Sequence, residues 1–142
     1  MLSFRHILVP TDFGEVSKHA ADVACELAVK LGAKLTLFHV WSIPIPVYAE
    51  GIPVPVDLVK TAAEAALEEE LARVRAKVPA ARGLIISGAP ASGIVESIDE
   101  HGFDLVVIGT HGRRGLPRAI LGSVAEKVVR TSHVPVLSVH LG

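Results

Sequence analysis

A chain of 142 residues, half of them hydrophobic, suits one domain with one core, taken here as residues 1–142. A formal net charge of −1, with 14 Lys and Arg against 15 Asp and Glu, gives no electrostatic case for a nucleic-acid partner or an anionic membrane surface, so any anion site must be local. Cys25 is the only cysteine, which excludes an intramolecular disulfide and is compatible with a reducing compartment. No apolar stretch approaches the ~18 residues of a membrane span, and Met1 to Arg5 leads straight into an apolar run with no room for a signal peptide. The expected location is the cytoplasm.

The apolar run from His6 to Pro10 reads as a first strand. A helix follows, with Val16, Ala20, Val23, Ala24, Leu27, Ala28 and Leu31 on one face and Gly32 as its stop. Cys25 falls beside that stripe and reads as a partly buried, inert thiol. The second strand, Lys34 to Trp41, is apolar enough to require cover on both faces. Pro44, Pro46, Pro53 and Pro55 make Ser42 to Asp57 a long loop, because proline fixes its own φ and drives the residue before it toward extended backbone. That loop is either a linker along the sheet edge or a lid or partner surface.

The next helix, roughly Asp57 to Val78, is expected to bury Val59, Ala62, Ala63, Ala66, Leu67, Val74 and Val78, with Glu68, Glu69 and Glu70 near its solvated side. Arg82 to Ser87 forms a third strand. Pro90 to Glu100 forms a third helix, with Ile94, Val95 and Ile98 inward and Gly102 past its end. Asp104 to Gly109, Leu121 to Thr131 and Pro135 to Val139 complete the chain as strand, helix and strand. This alternation predicts a single-domain α/β fold: a five-stranded parallel sheet with right-handed crossovers and helices on both faces. The pattern does not reveal the strand order.

The segment after the fourth strand carries the chemistry. The run Leu105 to Ile108 breaks into a loop with Gly109, Gly112 and Gly115 and with Arg113, Arg114 and Arg118, then closes at Gly122 and Ser123, where Val124 begins a helix. Backbone N–H groups freed by glycine, together with an open helix N-terminus, favour an anion, most commonly phosphate. Neither G-x-x-x-x-G-K-[ST] nor any G-x-G occurs among the 12 glycines, so the usual P-loop and the dinucleotide fingerprint are both excluded. What remains is Gly109-x2-Gly112-x9-Gly122-Ser123.

With Val9-Pro10-Thr11-Asp12, the run Asp104 to Gly112, and the run His133 to Val139, this spacing resembles the universal stress protein family, in its ATP-binding branch, over nearly the whole chain. The resemblance implies strand order 3-2-1-4-5, a flavodoxin-like arrangement also described as adenine nucleotide α-hydrolase-like. In that order Pro10, Thr11 and Asp12 lie opposite Gly109, Thr110, His111 and Gly112 at the carboxyl ends of neighbouring strands. The resemblance places adenine near Thr11 and the backbone of Val40, and ribose near Asp12 and Gly109. Phosphates would lie over Gly112, Arg113, Gly115, Gly122, Ser123 and Val124. The implied ligand is ATP, with or without Mg2+. It also implies a homodimer through the last strand, Pro135 to Val139, whose Val134, Val136, Leu137 and Val139 form an apolar edge. Many relatives carry Ser where this chain has Gly14, so a capping contact there is expected to be absent or transferred to Ser17.

On their own residues these positions have plainer readings. Asp12 serves equally as a turn or N-cap residue, and Ser123 as a helix cap. Arg113, Arg114 and Arg118 are ordinary surface charges, of which the resemblance selects Arg113. His111 is expected to lie near phosphate and to bind rather than catalyse. His6, His19, His39, His101, His133 and His140 lack metal-ligand spacing and read as ordinary strand or surface residues. No catalytic residue and no metal site is assigned.

The expected function is a cytoplasmic ATP-binding protein acting as a nucleotide-dependent switch or stress-tolerance factor, rather than an efficient enzyme. One alternative is slow ATP hydrolysis or adenylyl or phosphoryl transfer, against which stands the lack of a general base, of paired carboxylates and of H-x-G-H. The other is a structural dimer without nucleotide, against which stands the intact set Gly109, Gly112, Gly122 and Ser123.

Overall fold

A computed structural model describes residues 3–42, 55–110 and 121–141. The elements are β1 (His6–Pro10), α1 (Glu15–Leu31), β2 (Lys34–Trp41), α2 (Val56–Arg75), β3 (Arg82–Ser87), α3 (Pro90–His101), β4 (Leu105–Gly109), α4 (Ser123–Thr131) and β5 (Val136–Val139). The strands form one parallel sheet in the order β3-β2-β1-β4-β5, as the resemblance implied. Strand and helix ends fall within two or three residues of those read from the periodicity, with Gly32 and Gly102 ending α1 and α3 in the left-handed conformation.

Each strand feeds two cores. Ile7 and Val9 of β1, Leu35 and Leu37 of β2, and Leu105 and Val107 of β4 face α1 and α2. The intervening Leu8, Phe38, Val106 and Ile108 face Ile94 and Ile98 of α3 and Ala125 and Val128 of α4. Alternation of period two sends successive side chains to opposite faces, so an unbroken apolar run is what a doubly covered sheet requires. At the amino end of the sheet the Asp104 carboxylate accepts the N–H of Arg5 at 2.8 Å and of His6 at 3.0 Å, pinning the entry of β1 to that of β4.

Helix α1 is rotated from its expected orientation. Ser17, Ala20, Ala21, Ala24, Cys25 and Ala28 are buried, whereas Val23 and Leu27 are only flanking and Leu31 is 46% exposed. The helix turns its small side chains to the sheet because close approach buries more backbone and strand surface than a seam of larger residues would allow. A Cβ on Gly109 would lie 2.9 Å from Val16 Cγ1 and 3.2 Å from the Val16 carbonyl carbon, which shows how near the helix comes to β4. Cys25 is accordingly fully buried, at 1% exposure, rather than partly so, and burial raises its thiol pKa.

Helix α2 also departs from expectation at three positions. Leu71 is buried, Ala62 is exposed, and Glu70 is buried rather than solvated. Arg73 explains this: its guanidinium donates Nε–H to Glu70 Oε1 at 2.6 Å, Nη1–H to Asp22 Oδ1 at 2.6 Å and Nη2–H to the Lys18 carbonyl at 3.2 Å. A buried carboxylate persists when it is paired and hydrogen-bonded. Through Asp22 and Lys18 the same guanidinium ties α2 to α1.

Candidate functional site

Because β1 and β4 are neighbours whose following helices cover opposite faces, a crevice opens beyond their carboxyl ends. Among the described residues it is a cleft of about 400 Å3, within the size range of small-molecule sites. Of the positions read from sequence, Pro10, Thr11, Asp12, Val40, Gly109, Thr110, Gly122, Ser123 and Val124 all line it. His111, Gly112, Arg113 and Gly115, with Arg114, Arg118 and residues 43–54 of the prolyl loop, lie outside the described residues.

One end of the cleft is apolar and edged by strand backbone that has no ladder partner among the described residues. The Thr11 N–H donates to the Phe38 carbonyl at 2.8 Å, so Phe38 presents its peptide groups to β1, while Trp41 accepts the Gly88 N–H on the β3 side at 3.0 Å. Peptide orientation alternates along a strand, so the N–H and C=O of Val40 point to the side where β1 has already ended, its last paired residue being Pro10 opposite Phe38. The Thr11 carbonyl, which would continue the ladder to Val40, instead accepts the Nδ1–H of His39 at 2.7 Å. Phe38, Val40, Pro90, Ile94, Ile108 and Ala125 supply an apolar lining around this donor and acceptor pair.

The middle of the cleft is polar. Asp12 Oδ1 accepts the Gly14 N–H at 2.8 Å and the Ser17 hydroxyl at 2.7 Å, and the Asp12 N–H lies 3.3 Å from Ser17 Oγ. Gly14 is the N-cap of α1 and makes no side-chain capping bond, so the capping contact is absent there, and the Ser17 hydroxyl donates to Asp12. Between Asp12 and Gly14 the backbone of Phe13 is left-handed, with φ of 66°, a conformation that costs a bulky residue about 1–3 kcal/mol. Three contacts hold it: Phe13 N–H to Thr11 Oγ1 at 3.0 Å, the Phe13 ring 4.4 Å from that of His39, and His39 on the Thr11 carbonyl.

The far end is the start of α4. The Gly122 N–H donates to the Thr110 carbonyl at 2.5 Å, which fixes α4 to the end of β4. Gly122 is the N-cap of α4 and no side chain among the described residues caps it, and Gly122 lines the cleft with Ser123, Val124 and Ala125 of the first turn. Asp12 is the single carboxylate among the described lining residues. No cluster of three or more His, Cys, Asp or Glu suited to a metal ion occurs among the described residues.

Residues 3–140 match the model of the universal stress protein family. The chain belongs to that family. A universal stress protein of Methanocaldococcus jannaschii is 34% identical, the match spanning 96% of this chain and 82% of the relative. Universal stress protein A homolog 1 of Coxiella burnetii is 30% identical over 97% of each. The UspA structure from Lactobacillus plantarum superposes with a TM-score of 0.80 at 25% identity, covering 98% of this chain and 99% of that one. A universal stress protein solved in complex with cAMP superposes with a TM-score of 0.73 at 29% identity, covering 99% and 100%.

Within this universal stress protein, reading the sequence missed Ser17 and His39 as cleft residues. Ser17 carries a faint signal, a hydroxyl on the third residue of a helix whose N-cap is glycine. His39 carries one too: it is the last polar residue before the open end of β2, where a side chain can take over a ladder acceptor.

Proposed function

We propose that this protein binds an adenine nucleotide, ATP with or without Mg2+, and acts in the cytoplasm as a nucleotide-dependent switch or stress-tolerance factor. The observation that carries the reading is the backbone N–H and C=O of Val40, facing an apolar slot beyond the end of β1. An N–H donor beside a C=O acceptor complements the ring nitrogen and exocyclic amine of adenine. Asp12 then meets the ribose and the first turn of α4 meets phosphate, with Gly109, Thr110, His111, Gly112, Arg113 and Gly115 completing the loop. That a relative 29% identical over its full length was solved with cAMP supports the same class of ligand. A carboxylate at the cleft centre also suits a divalent cation, and Asp12 is where Mg2+ would be held. Binding would order the surface around the glycine loop, and partners would read that change.

The exposed edge of β5, where Leu137 is 41% exposed, supports a homodimer through that strand.

The test is to denature freshly purified protein, identify any released nucleotide by mass spectrometry, and titrate the apo form with ATP, ADP, AMP and cAMP. Gly122→Val should weaken binding by at least about tenfold while circular dichroism stays that of the wild type. A folded Gly122→Val protein with unchanged affinity would sink the assignment.

A further inference from the structure

Two hydrogen bonds stop β1 at the point where it would otherwise run alongside Val40. The Thr11 N–H donates to the Phe38 carbonyl at 2.8 Å, so in a continued parallel ladder the Val40 N–H would donate to the Thr11 carbonyl and the Phe13 N–H to the Val40 carbonyl. Both partners are turned elsewhere. His39 Nδ1–H donates to the Thr11 carbonyl at 2.7 Å, and the Phe13 N–H donates to Thr11 Oγ1 at 3.0 Å. The His39 ring, half-buried in the cleft lining, lies 4.4 Å from the Phe13 ring. With φ of 66°, Phe13 has also left the extended backbone that a strand needs.

We propose that His39 is a positioning residue for the base: by drawing the Thr11 carbonyl onto its ring it ends the ladder one step short of Val40, and so keeps the Val40 N–H for the ring nitrogen of adenine. The inference rests on the adenine-nucleotide reading and gives it a base-selecting element. A backbone N–H pairs with an acceptor within reach, and the Thr11 carbonyl is the acceptor that strand register brings to Val40. Without the His39 donor that bond forms, and a base must break it to use the N–H. Adenine presents an acceptor at its ring nitrogen and a donor at its exocyclic amine, whereas hypoxanthine presents a donor and an acceptor at the same two places. The loss therefore falls on adenine and not on hypoxanthine.

The experiment titrates the wild type, His39→Leu, His39→Asn and His39→Gln with ATP and AMP and with their hypoxanthine counterparts ITP and IMP, whose sugar and phosphates are the same. The wild type should prefer the adenine member of each pair by about tenfold or more. His39→Leu should narrow that preference by roughly three- to tenfold, the scale of one net hydrogen bond. Asparagine carries its amide nitrogen where histidine carries Nδ1 and should restore the preference, whereas glutamine carries it one atom further out, where histidine carries Nε2, and should not. The ratio is taken within each variant, so a general loosening of the fold cancels, and the asparagine and glutamine pair decides the matter where leucine unfolds the chain. A wild type that discriminates, with the same ratio retained in His39→Leu and His39→Gln, overturns this inference alone. Equal ratios in His39→Asn and His39→Gln do the same, as does a wild type that binds both members of each pair equally. A wild type that binds none of the four overturns the adenine-nucleotide reading and this inference with it.

Discussion

His6 shows how a single side chain is set by its neighbours. It begins β1, with Nε2 and Thr36 Oγ1 2.8 Å apart and its ring centre 4.2 Å from that of Phe103 at a tilt of 54°. Burial lowers its pKa below 6.5, and Lys34, His101 and Arg82 act in the same direction against the opposing pull of Asp104. The folded chain therefore takes up the proton less readily than the unfolded chain. This contribution to stability is complete above about pH 6.5 and is lost as pH falls from there through the lowered folded value, below which it changes no further. Urea midpoints between pH 7.5 and 5 should fall with pH, and His6→Gln should flatten that slope. An equal slope in the variant would assign the effect to other groups. At the opposite end of the same strand, Asp12 was legible as a site residue from the Pro-Thr-Asp run, yet Ser17 and His39 were not. Their contacts to Asp12 and Thr11 span 5 and 28 residues, and the local signals they carry are too faint to specify those partners.

Element by element, α1 and β4 approach closely. Gly109 has a role that the phosphate-loop reading alone does not supply: a Cβ there would meet Val16 Cγ1 at 2.9 Å and Ser17 N at 3.3 Å. Two of its three near atoms are helix backbone, which cannot swing aside as a side-chain tip can. Gly109→Ala should cost about 1–3 kcal/mol of stability through overpacking, read as a lowered urea midpoint. It should also weaken nucleotide binding, since displacing the first turn of α1 moves Ser17. A variant as stable as the wild type would show that the helix retreats freely. The seam of alanines on α1 has the same cause. A hydrophobicity count favours the valine and leucine stripe, whereas the sheet selects the face that lets the backbones approach, and so Leu31 is left in solvent.

For the molecule as a whole, the order β3-β2-β1-β4-β5 leaves β5 at an edge with Leu137 and Leu141 exposed. The proposed homodimer covers that edge. Leu137→Asp should shift the mass measured by light scattering from dimer to monomer while leaving circular dichroism unchanged, because like charges facing each other across a two-fold axis repel. A wild type that is already monomeric at micromolar concentration would remove the dimer, and the nucleotide cleft would stand independently of it.

The sequence by itself determined the nine elements, their order, the two-sided burial of the strands and the glycine and serine positions of the loop. All of these follow from periods of 2 and 3.6 residues and from turn chemistry acting over a few neighbours. Tertiary structure alone decided which face of α1 is buried, that Glu70 goes inward with Arg73, that Val40 outruns β1, and that Ser17 and His39 brace the loop carrying Asp12. Each of these depends on which strand ends and helix faces come together across tens of residues. That is set by the packing of the whole sheet, where one close approach or one paired charge outweighs the local preference of the residues involved.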